Sequence, residues 1–206
     1  MNKLLIATTN PGKLSELREF LAGIPVELVS LRDAGITDTV EETGKTFEEN
    51  AVLKARHYAK ESGLPTLADD GGFEIDALGG EPGVKSHRWV YGDRENTDEE
   101  LIAYTFKRMQ GIPQDKRGAQ LHLVLALVDS EGKLVATSEE KIRGIVAPKP
   151  APVHQPGFPY RAILFIPEMN KYYDQSAMTQ EENEAYNHRK KAVETMKPAL
   201  QAMLTG

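Results

Sequence analysis

"LLIATTNPGKLSELREFL", residues Leu4–Leu21, joins a short apolar run to a segment with helical spacing. Leu4 to Thr8 is predicted to be a buried strand, because a short apolar run ends there in turn residues. Pro11 suits the first position of a helix, and leucines recur after it at helical intervals. The stretch therefore predicts a strand, a tight turn and a helix at the beginning of an α/β core.

Further strands and helices follow without strict alternation, so the sheet is expected to be mixed. The other predicted strands lie around Val26–Ser30, at Leu64–Asp70, at Gln120–Asp129, from the turn at Ser130–Lys133 to about Ile142, and at Arg161–Pro167. The other predicted helices run from Thr46 to Gly63, from Thr97 to about Met109, and onward from Thr179, where Pro198 is expected to kink or restart the helix. The Pro-rich segment 147–159 is predicted to be an extended loop within a single domain, 1–206, rather than a linker.

Composition excludes several classes of protein. The 206 residues are 40% hydrophobic and 27% charged, as in ordinary globular proteins, and the formal net charge is -6. That charge disfavours nonspecific binding to nucleic acid or to an anionic membrane. There are no cysteines, which excludes disulfides, thiolate nucleophiles and cysteine-ligated metal sites. The N-terminal apolar run is too short for a signal peptide, so a cytoplasmic location is expected.

The opening turn is a candidate anion site. A turn that leads into a helix presents unpaired backbone N–H groups and the positive end of the helix dipole. Thr8, Thr9 and Asn10 add side-chain donors, and Lys13 lies in the first turn, where a cation is unfavourable for the helix itself. The stretch lacks the Walker A spacing. An ordinary strand–helix connection is the alternative.

The helix beginning at Thr46 places a lysine on an otherwise apolar face. Phe47, Ala51, Lys54 and Tyr58 fall on that face, at steps of four, three and four. Lys54 either extends along the surface to water or projects into a cleft, where it would hold phosphate or a carboxylate.

Two adjacent aspartates, Asp69 and Asp70, come at the expected end of an apolar strand and precede Gly71. Successive strand residues point to opposite faces, so the two carboxylates are expected to have different roles, such as binding Mg²⁺ and acting as a base. A simple Asp-Asp-Gly-Gly turn is the alternative. Glu41 or Glu42 is a candidate further metal ligand, or else a solvated loop acid.

The last candidate element is Asn187-His188-Arg189. Arg189 shares a helical stripe with Ala192 and Met196, which predicts a helix that enters a cleft at its polar end and reaches the core at its apolar end. A solvent-exposed His-Arg pair is the alternative.

Together these segments resemble the inosine/xanthosine triphosphate pyrophosphatase family. The segments that carry the resemblance are "ATTNPGK", "EETGKTFEENAVLKA", "ADDGGFEIDALGGEPGV", "PGFPY" and "NHRKKA". The resemblance implies an α/β fold of two lobes around a mixed, elongated central sheet flanked by helices, with a deep active-site cleft. It also implies a homodimer and Mg²⁺-dependent hydrolysis of ITP, dITP and XTP to the monophosphate and pyrophosphate, with no nucleic-acid or membrane partner.

The resemblance also implies roles for individual residues. Thr8, Asn10 and Lys13 would hold the phosphates together with Lys54. Glu42 and Asp70 would bind magnesium, and Asp70 or Asp69 would activate the attacking water. Phe158 would stack on the base, and His188 and Arg189 would contact its edge. The remaining residues predicted to bind substrate are Thr9, Gly71, Tyr160, Arg161 and Asn183.

The segment expected to read the base departs from the family pattern. The family usually has Phe-Gly-Tyr-Asp-Pro where this chain has Phe158-Pro159-Tyr160-Arg161-Ala162, a lysine at Asn183, a serine at Asn187 and a serine at Gly71. Replacing Asp by Arg reverses donor and acceptor roles, which predicts a relaxed or altered base preference. The alternative is that Arg161 points to solvent because the preceding loop has shifted the register. There are two alternatives to the implied function. One is the same chemistry on different triphosphates, and the other is nucleotide binding without catalysis.

Overall fold

The computed structural model describes residues 2–153 and 155–205. The prediction of an extended Pro-rich loop includes His154, which lies outside the described residues. The strands in the described residues are β1 (Lys3–Ala7), β2 (Glu27–Ser30), β3 (Thr66–Ile75), β4 (Gly118–Val128), β5 (Leu134–Val146), β6 (Leu164–Ile166) and β7 (Lys171–Tyr172). The α-helices are α1 (Pro11–Phe20), α2 (Phe47–Ser62), α3 (Asp98–Arg108), α4 (Gln180–Tyr186) and α5 (His188–Thr205).

The strands hydrogen-bond in the order β2-β1-β3-β4-β5-β6-β7. β1 runs parallel to β2 and to β3, whereas β6 runs antiparallel to β5 and to β7. The sheet is therefore mixed, and the predicted α/β class with a mixed sheet is confirmed. No helix in the described residues combines the length and the apolar character needed to cross a membrane.

The chain divides into two compact units. The first comprises residues 2–70, 123–140 and 188–205, and the second comprises residues 71–122, 141–153 and 155–187. The first unit has a core that joins β1, α1, the second half of β4 and α5. Its fully buried members include Leu4 and Ile6 of β1, Leu17 of α1, and Ala192 and Leu200 of α5. The predicted strand–turn–helix at the start of the chain is thus confirmed.

The C-terminal helical region differs from the prediction. The helix that begins after Thr179 ends at Tyr186, and α5 begins at His188. Asn187 between them has an extended backbone (φ -73°, ψ 99°). Pro198 lies inside α5, which continues to Thr205, so the prediction that this proline restarts the helix is wrong. The break occurs at Asn187 because its extended backbone cannot continue the i→i−4 hydrogen-bond pattern.

Strand β3 is longer than predicted. It passes through Asp69, Asp70 and both following glycines and ends at Ile75, so the alternative of an Asp-Asp-Gly-Gly turn is wrong. Phe73 and Ile75 are both fully buried, and this alternation of buried side chains extends the strand beyond the glycines.

The second unit has its own core, which surrounds Phe73 and Tyr160. The two rings stack with centroids 4.8 Å apart. The strand predicted at Arg161–Pro167 is shorter in the structure. Pro159–Ala162 forms a 3₁₀ turn, and only Leu164–Ile166 is strand. Pro159 starts this turn because its fixed φ suits the first position of a helix.

Candidate active site

The candidate site of the first unit begins where β1 and β3 stop pairing. The parallel register ends at Ala7 opposite Ala68, so the next residues of β3 are Asp69 and Asp70. On the other strand, the chain leaves Ala7 through Thr8 and enters α1 at Pro11. The side chains of this loop therefore start from the carboxyl end of β1, and the two aspartates lie on β3 directly after its parallel pairing with β1 has ended. The carboxyl end of a parallel strand is where α/β proteins bind ligands.

The N-terminus of α1 is already capped. Asn10 Oδ1 accepts hydrogen bonds from the backbone N–H groups of Gly12 (2.9 Å) and Lys13 (3.2 Å), and the carbonyl of Asn10 accepts from Leu14. Pro11 has no N–H to offer. The expectation that the backbone N–H groups of Gly12 and Lys13 are unpaired is therefore wrong, whereas anion binding at this turn stays a prediction. Of the two threonines, Thr8 accepts the N–H of Asn10 and Thr9 is exposed.

A buried ionic network joins α1, β3 and α5. Lys13 Nζ lies 2.9 Å from Asp69 Oδ2, and Arg189 Nη2 lies 3.4 Å from the same oxygen. Arg189 Nε also lies 3.2 Å from Glu16 Oε2, although this contact lacks hydrogen-bond geometry. Burial raises the pKa of Asp69, but Lys13 and Arg189 outweigh it and hold that pKa well below its ordinary value. Asp69 is thus a carboxylate that pairs with two positively charged side chains, those of Lys13 and Arg189.

Arg189 and His188 are almost fully buried, at 4% and 5% exposure. The alternative of a solvent-exposed pair is therefore wrong. Arg189 Nη1 is buried and has no hydrogen-bond partner among the described residues. A buried guanidinium N–H without an acceptor is costly for the protein, which makes it a natural donor to a bound ligand.

A second cluster centres on Lys54 of α2. Its Nζ lies 2.7 Å from Glu42 Oε1 and 3.0 Å from Asp70 Oδ1, and its side chain is only 12% exposed. The alternative in which Lys54 extends along the surface to water is wrong. Burial lowers the pKa of Lys54, but Asp70 and Glu42 raise it by more than burial lowers it, so the pKa of Lys54 lies above its ordinary value. The pKa of Asp70 is raised by burial and by Glu42, against the opposing effect of Lys54.

The Lys54 cluster fits a divalent cation. It places two carboxylates on one ammonium group, and Asp70 Oδ2 is buried without a hydrogen-bond partner among the described residues. Carboxylate oxygens are the ligands that Mg²⁺ prefers, and one or two of them commonly suffice where substrate phosphates complete the site. The described residues contain no group of three or more histidine, cysteine, aspartate or glutamate side chains arranged to hold a metal alone. Glu42 and Asp70 therefore suit a metal that arrives with its substrate.

The remaining predicted residues lie in the second unit. The guanidinium of Arg161 stacks 3.9 Å from the ring centroid of Phe158 and 5.5 Å from that of Tyr173. Arg161 is 5% exposed, so the alternative in which it points to solvent is wrong. Gly71 continues β3 and is half-buried.

Tyr160 and Asn183 have partners within the fold of the second unit. The hydroxyl of Tyr160 donates to the carbonyl of Ser86 (2.6 Å), and burial raises the pKa of Tyr160. Asn183 Oδ1 accepts a hydrogen bond from Asn187 Nδ2 (2.8 Å). Their proposed contacts with substrate remain predictions.

Sequence reasoning missed Glu16, Asn50 and Tyr58 as residues of the site. Glu16 is 4% exposed and lies three residues after Lys13, so the two side chains share one face of α1. Asn50 and Tyr58 lie four residues to either side of Lys54. The signal available in the sequence was helical spacing from a candidate lysine. That lysine is Lys13 for Glu16, and it is Lys54 for Asn50 and Tyr58.

Comparison with known proteins identifies the family. A sequence model of the Ham1 family matches residues 4–199. The chain belongs to the Ham1 family. A dITP/XTP pyrophosphatase of Yersinia pseudotuberculosis is 39% identical over 201 residues, which covers 97% of this chain and 98% of that protein. A dITP/XTP pyrophosphatase of Escherichia coli is 38% identical over 201 residues, with the same coverage of 97% and 98%.

Solved structures agree with this assignment. A HAM1 protein from Coxiella burnetii superposes with a TM-score of 0.83 at 32% identity, covering 98% of this chain and 100% of that one. A nucleoside-triphosphatase / dITP/XTP pyrophosphatase from Mycobacterium abscessus superposes with a TM-score of 0.72 at 38% identity, covering 96% and 99%. The resemblance inferred from the sequence is confirmed, and the predicted enzyme class, a nucleoside triphosphate pyrophosphatase, is confirmed at the level of the family.

Proposed function

We propose that this Ham1 protein hydrolyses the deaminated purine nucleoside triphosphates ITP, dITP and XTP to the monophosphate and pyrophosphate. The reaction is Mg²⁺-dependent and removes damaged nucleotides from the cytoplasmic pool. One observation carries the proposal: in the part of the chain that the structure describes, a buried carboxylate oxygen of Asp70 in the Lys54 cluster has no hydrogen-bond partner. A protein that only bound nucleotide would have no need of that arrangement, whereas a hydrolase needs carboxylates for a metal and for a water.

The two aspartates have separate roles in this proposal. Asp69 Oδ2 is engaged by Lys13 and Arg189, so Asp69 orients these cations. Asp70 Oδ2 has no hydrogen-bond partner within residues 2–153 and 155–205. In this proposal Asp70 is therefore the residue that meets the reacting groups. Glu42 and Asp70 would hold Mg²⁺, which when bound neutralises charge that develops on the phosphates. Lys13 and Lys54 supply fixed positive charge for the phosphate chain.

Two arginines, Arg189 and Arg161, are proposed for base recognition. Arg189 Nη1 is a buried donor with no partner among the described residues, and keto purines present acceptors at O6 and N7. Arg161, where the family usually has aspartate, is held against the ring of Phe158. We therefore propose that the base preference of this protein is relaxed or altered relative to family members with aspartate at position 161.

The proposed enzyme acts as a homodimer.

The alternative functions are the same chemistry on other triphosphates and nucleotide binding without catalysis. Pyrophosphate release separates them when measured for ITP, XTP, dITP, GTP and the pyrimidine triphosphates, with and without Mg²⁺, for wild type and Asp70→Asn. Metal-dependent release that favours ITP and XTP and disappears in the variant is the expected result. Release that favours other bases overturns the substrate assignment, and no release from any triphosphate overturns the enzymatic proposal.

A further inference from the structure

Glu42 belongs to a segment without regular secondary structure, yet its carboxylate reaches Lys54 of α2. We call residues 38–44 the strap. Within the strap, Val40, Glu42 and Gly44 are half-buried, whereas Thr39, Glu41 and Thr43 are exposed. Alternating exposure is typical of an extended segment with one face against protein. It also explains why Glu42, and not Glu41, faces the Lys54 cluster.

The inward residues of the strap meet a single stripe of α2. Gly44 donates its N–H to Asn50 Oδ1 (2.7 Å), and Glu42 meets Lys54 Nζ (2.7 Å). Tyr58 donates its hydroxyl to the carbonyl of Asp38 (3.2 Å) and also has a backbone hydrogen bond with Val40. From Gly44 to Glu42, and again from Glu42 to Val40, the strap moves back by two residues. At each of these steps the contacted residue of α2 moves forward by four, from Asn50 to Lys54 and then to Tyr58.

This register follows from backbone geometry. Four residues of α-helix rise about 6 Å. Two residues of extended chain advance about 6.6 Å. An extended strap that runs antiparallel to α2 therefore stays in step with side chains at every fourth helical position. Asn50 and Tyr58 are 1% and 3% exposed, so both hydrogen-bonded side chains are shielded from competing water.

Gly44 allows the strap to approach this closely. A Cβ atom at this position would lie 2.5 Å from Asn50 Oδ1 and 2.9 Å from the backbone nitrogen of Asn50. Because backbone on the helix cannot move aside, any larger residue would lift the strap from α2. The glycine is required for close approach and not for an unusual φ.

We infer that Asn50 and Tyr58 are positioning residues that fix the strap at two points and thereby set the place of the Glu42 carboxylate between them. Neither side chain is assigned a contact with substrate. The inference rests on the proposed metal-binding role of Glu42. Groups that orient a metal ligand typically change metal affinity by about 10- to 100-fold when they are removed.

The first test measures binding of Mn²⁺, as a spectroscopic substitute for Mg²⁺, by electron paramagnetic resonance with a non-hydrolysable ITP analogue present. Asn50→Leu removes the acceptor for Gly44, Tyr58→Phe removes only a hydroxyl, and Gly44→Ala adds the obstructing Cβ. Each is expected to weaken Mn²⁺ binding about 10-fold or more. Asn50→Asp keeps an acceptor oxygen and is expected to bind better than Asn50→Leu. Ser62→Ala is the matched control, because the Ser62 hydroxyl donates to the carbonyl of Tyr58 and accepts the N–H of Leu64, and neither contact involves the strap.

The second test does not depend on activity or metal. A double-mutant cycle between Asn50→Leu and Glu42→Gln is measured on the unfolding equilibrium constant. A coupling of about threefold or more is expected, since residues linked through one backbone segment are not additive. Asn50→Leu with Glu16→Gln is the control pair, because Glu16 contacts Arg189 and lies outside the strap.

The outcomes separate the two proposals. If the strap variants bind Mn²⁺ within twofold of wild type while Glu42→Gln loses binding, the positioning role is wrong. If wild type neither binds Mn²⁺ nor releases pyrophosphate, the proposed function fails. In that case the cycle still decides whether Asn50 positions Glu42, and additive free energies would overturn it.

Discussion

Lys54 Nζ and Asp70 Oδ1 lie 3.0 Å apart, and the second oxygen of that aspartate is buried without a hydrogen-bond partner among the described residues. A lysine on the interior stripe of a helix and an aspartate within a strand are both unfavourable for folding alone. Pairing Lys54 with Asp70 removes part of the free-energy cost of burying the two charges. The rest of the cost remains, because the second carboxylate oxygen of Asp70 has no partner among the described residues. The cluster is arranged for a ligand that brings additional positive charge.

Replacing Lys54 by methionine is expected to damage both stability and activity. The substitution leaves Glu42 and Asp70 close together without their shared cation, and breaking a buried ion pair typically costs about 3 kcal/mol in free energy of unfolding. Pyrophosphate release from ITP should fall about 100-fold or more, because fixed charge near the phosphates is lost. Urea denaturation and single-turnover kinetics measure the two effects. Lys60→Met, on an exposed position of the same helix, is the control. Turnover within twofold of wild type would contradict the assigned role.

Replacing Asp70 by asparagine is expected to abolish hydrolysis without loss of stability at pH 7. Burial and Glu42 raise the pKa of Asp70 above its unfolded value, even with Lys54 beside it. A carboxyl with a raised pKa favours the folded state when it is protonated, and this contribution is lost as the pH rises through its folded pKa. The neutral amide avoids the cost of the buried charge. Thermal melting at pH 7 should therefore give a melting temperature equal to or above that of wild type, and a fall of several degrees would contradict the prediction.

A capping box in the second unit gives a prediction for acid pH. The carboxylate of Glu100 accepts two hydrogen bonds from Arg94 and one from the backbone of Thr97, and these lower the pKa of Glu100 to about 2. A lowered pKa means that the stabilising contribution is present above the unfolded value and is lost as pH falls through about 2. Carboxyl resonances followed by NMR titration measure this pKa directly. Arg94→Leu should raise it, whereas Arg88→Leu should leave it unchanged.

Local patterns predicted those parts of the fold that depend on nearby residues. The strand, turn and helix of Leu4–Leu21 were predictable because apolar spacing and a proline define each boundary. The end of β3 was not, because Gly71-Gly72 has the composition of a turn and only the burial of Phe73 and Ile75 extends the strand.

The site was predictable in its charged residues and not in their partners. Lys13, Lys54 and the two aspartates stand out because charge is unusual in their positions. Glu16 looks like an ordinary polar residue of α1 until its contact with Arg189, from the other end of the chain, becomes visible. The capping role of Asn10 was also missed: a side chain selected as a ligand donor instead accepts the backbone N–H groups that were expected to bind the anion.

Substituting Arg161 is expected to change base selectivity more than overall turnover. Its guanidinium is buried and stacks on Phe158, so its N–H groups have a fixed orientation in the segment proposed to read the base. Arg161→Asp replaces donors by acceptors, and the ratio of ITP to GTP turnover should rise about 10-fold or more. Arg161→Met keeps the bulk without the donors and separates the effect of reversed polarity from the loss of stacking, which is worth about 1–2 kcal/mol for a buried cation–π pair. Competition assays with both triphosphates in one mixture measure the ratio directly. An unchanged ratio in Arg161→Asp, with the variant folded as judged by its melting curve, would show that the buried arginine serves only to pack against Phe158.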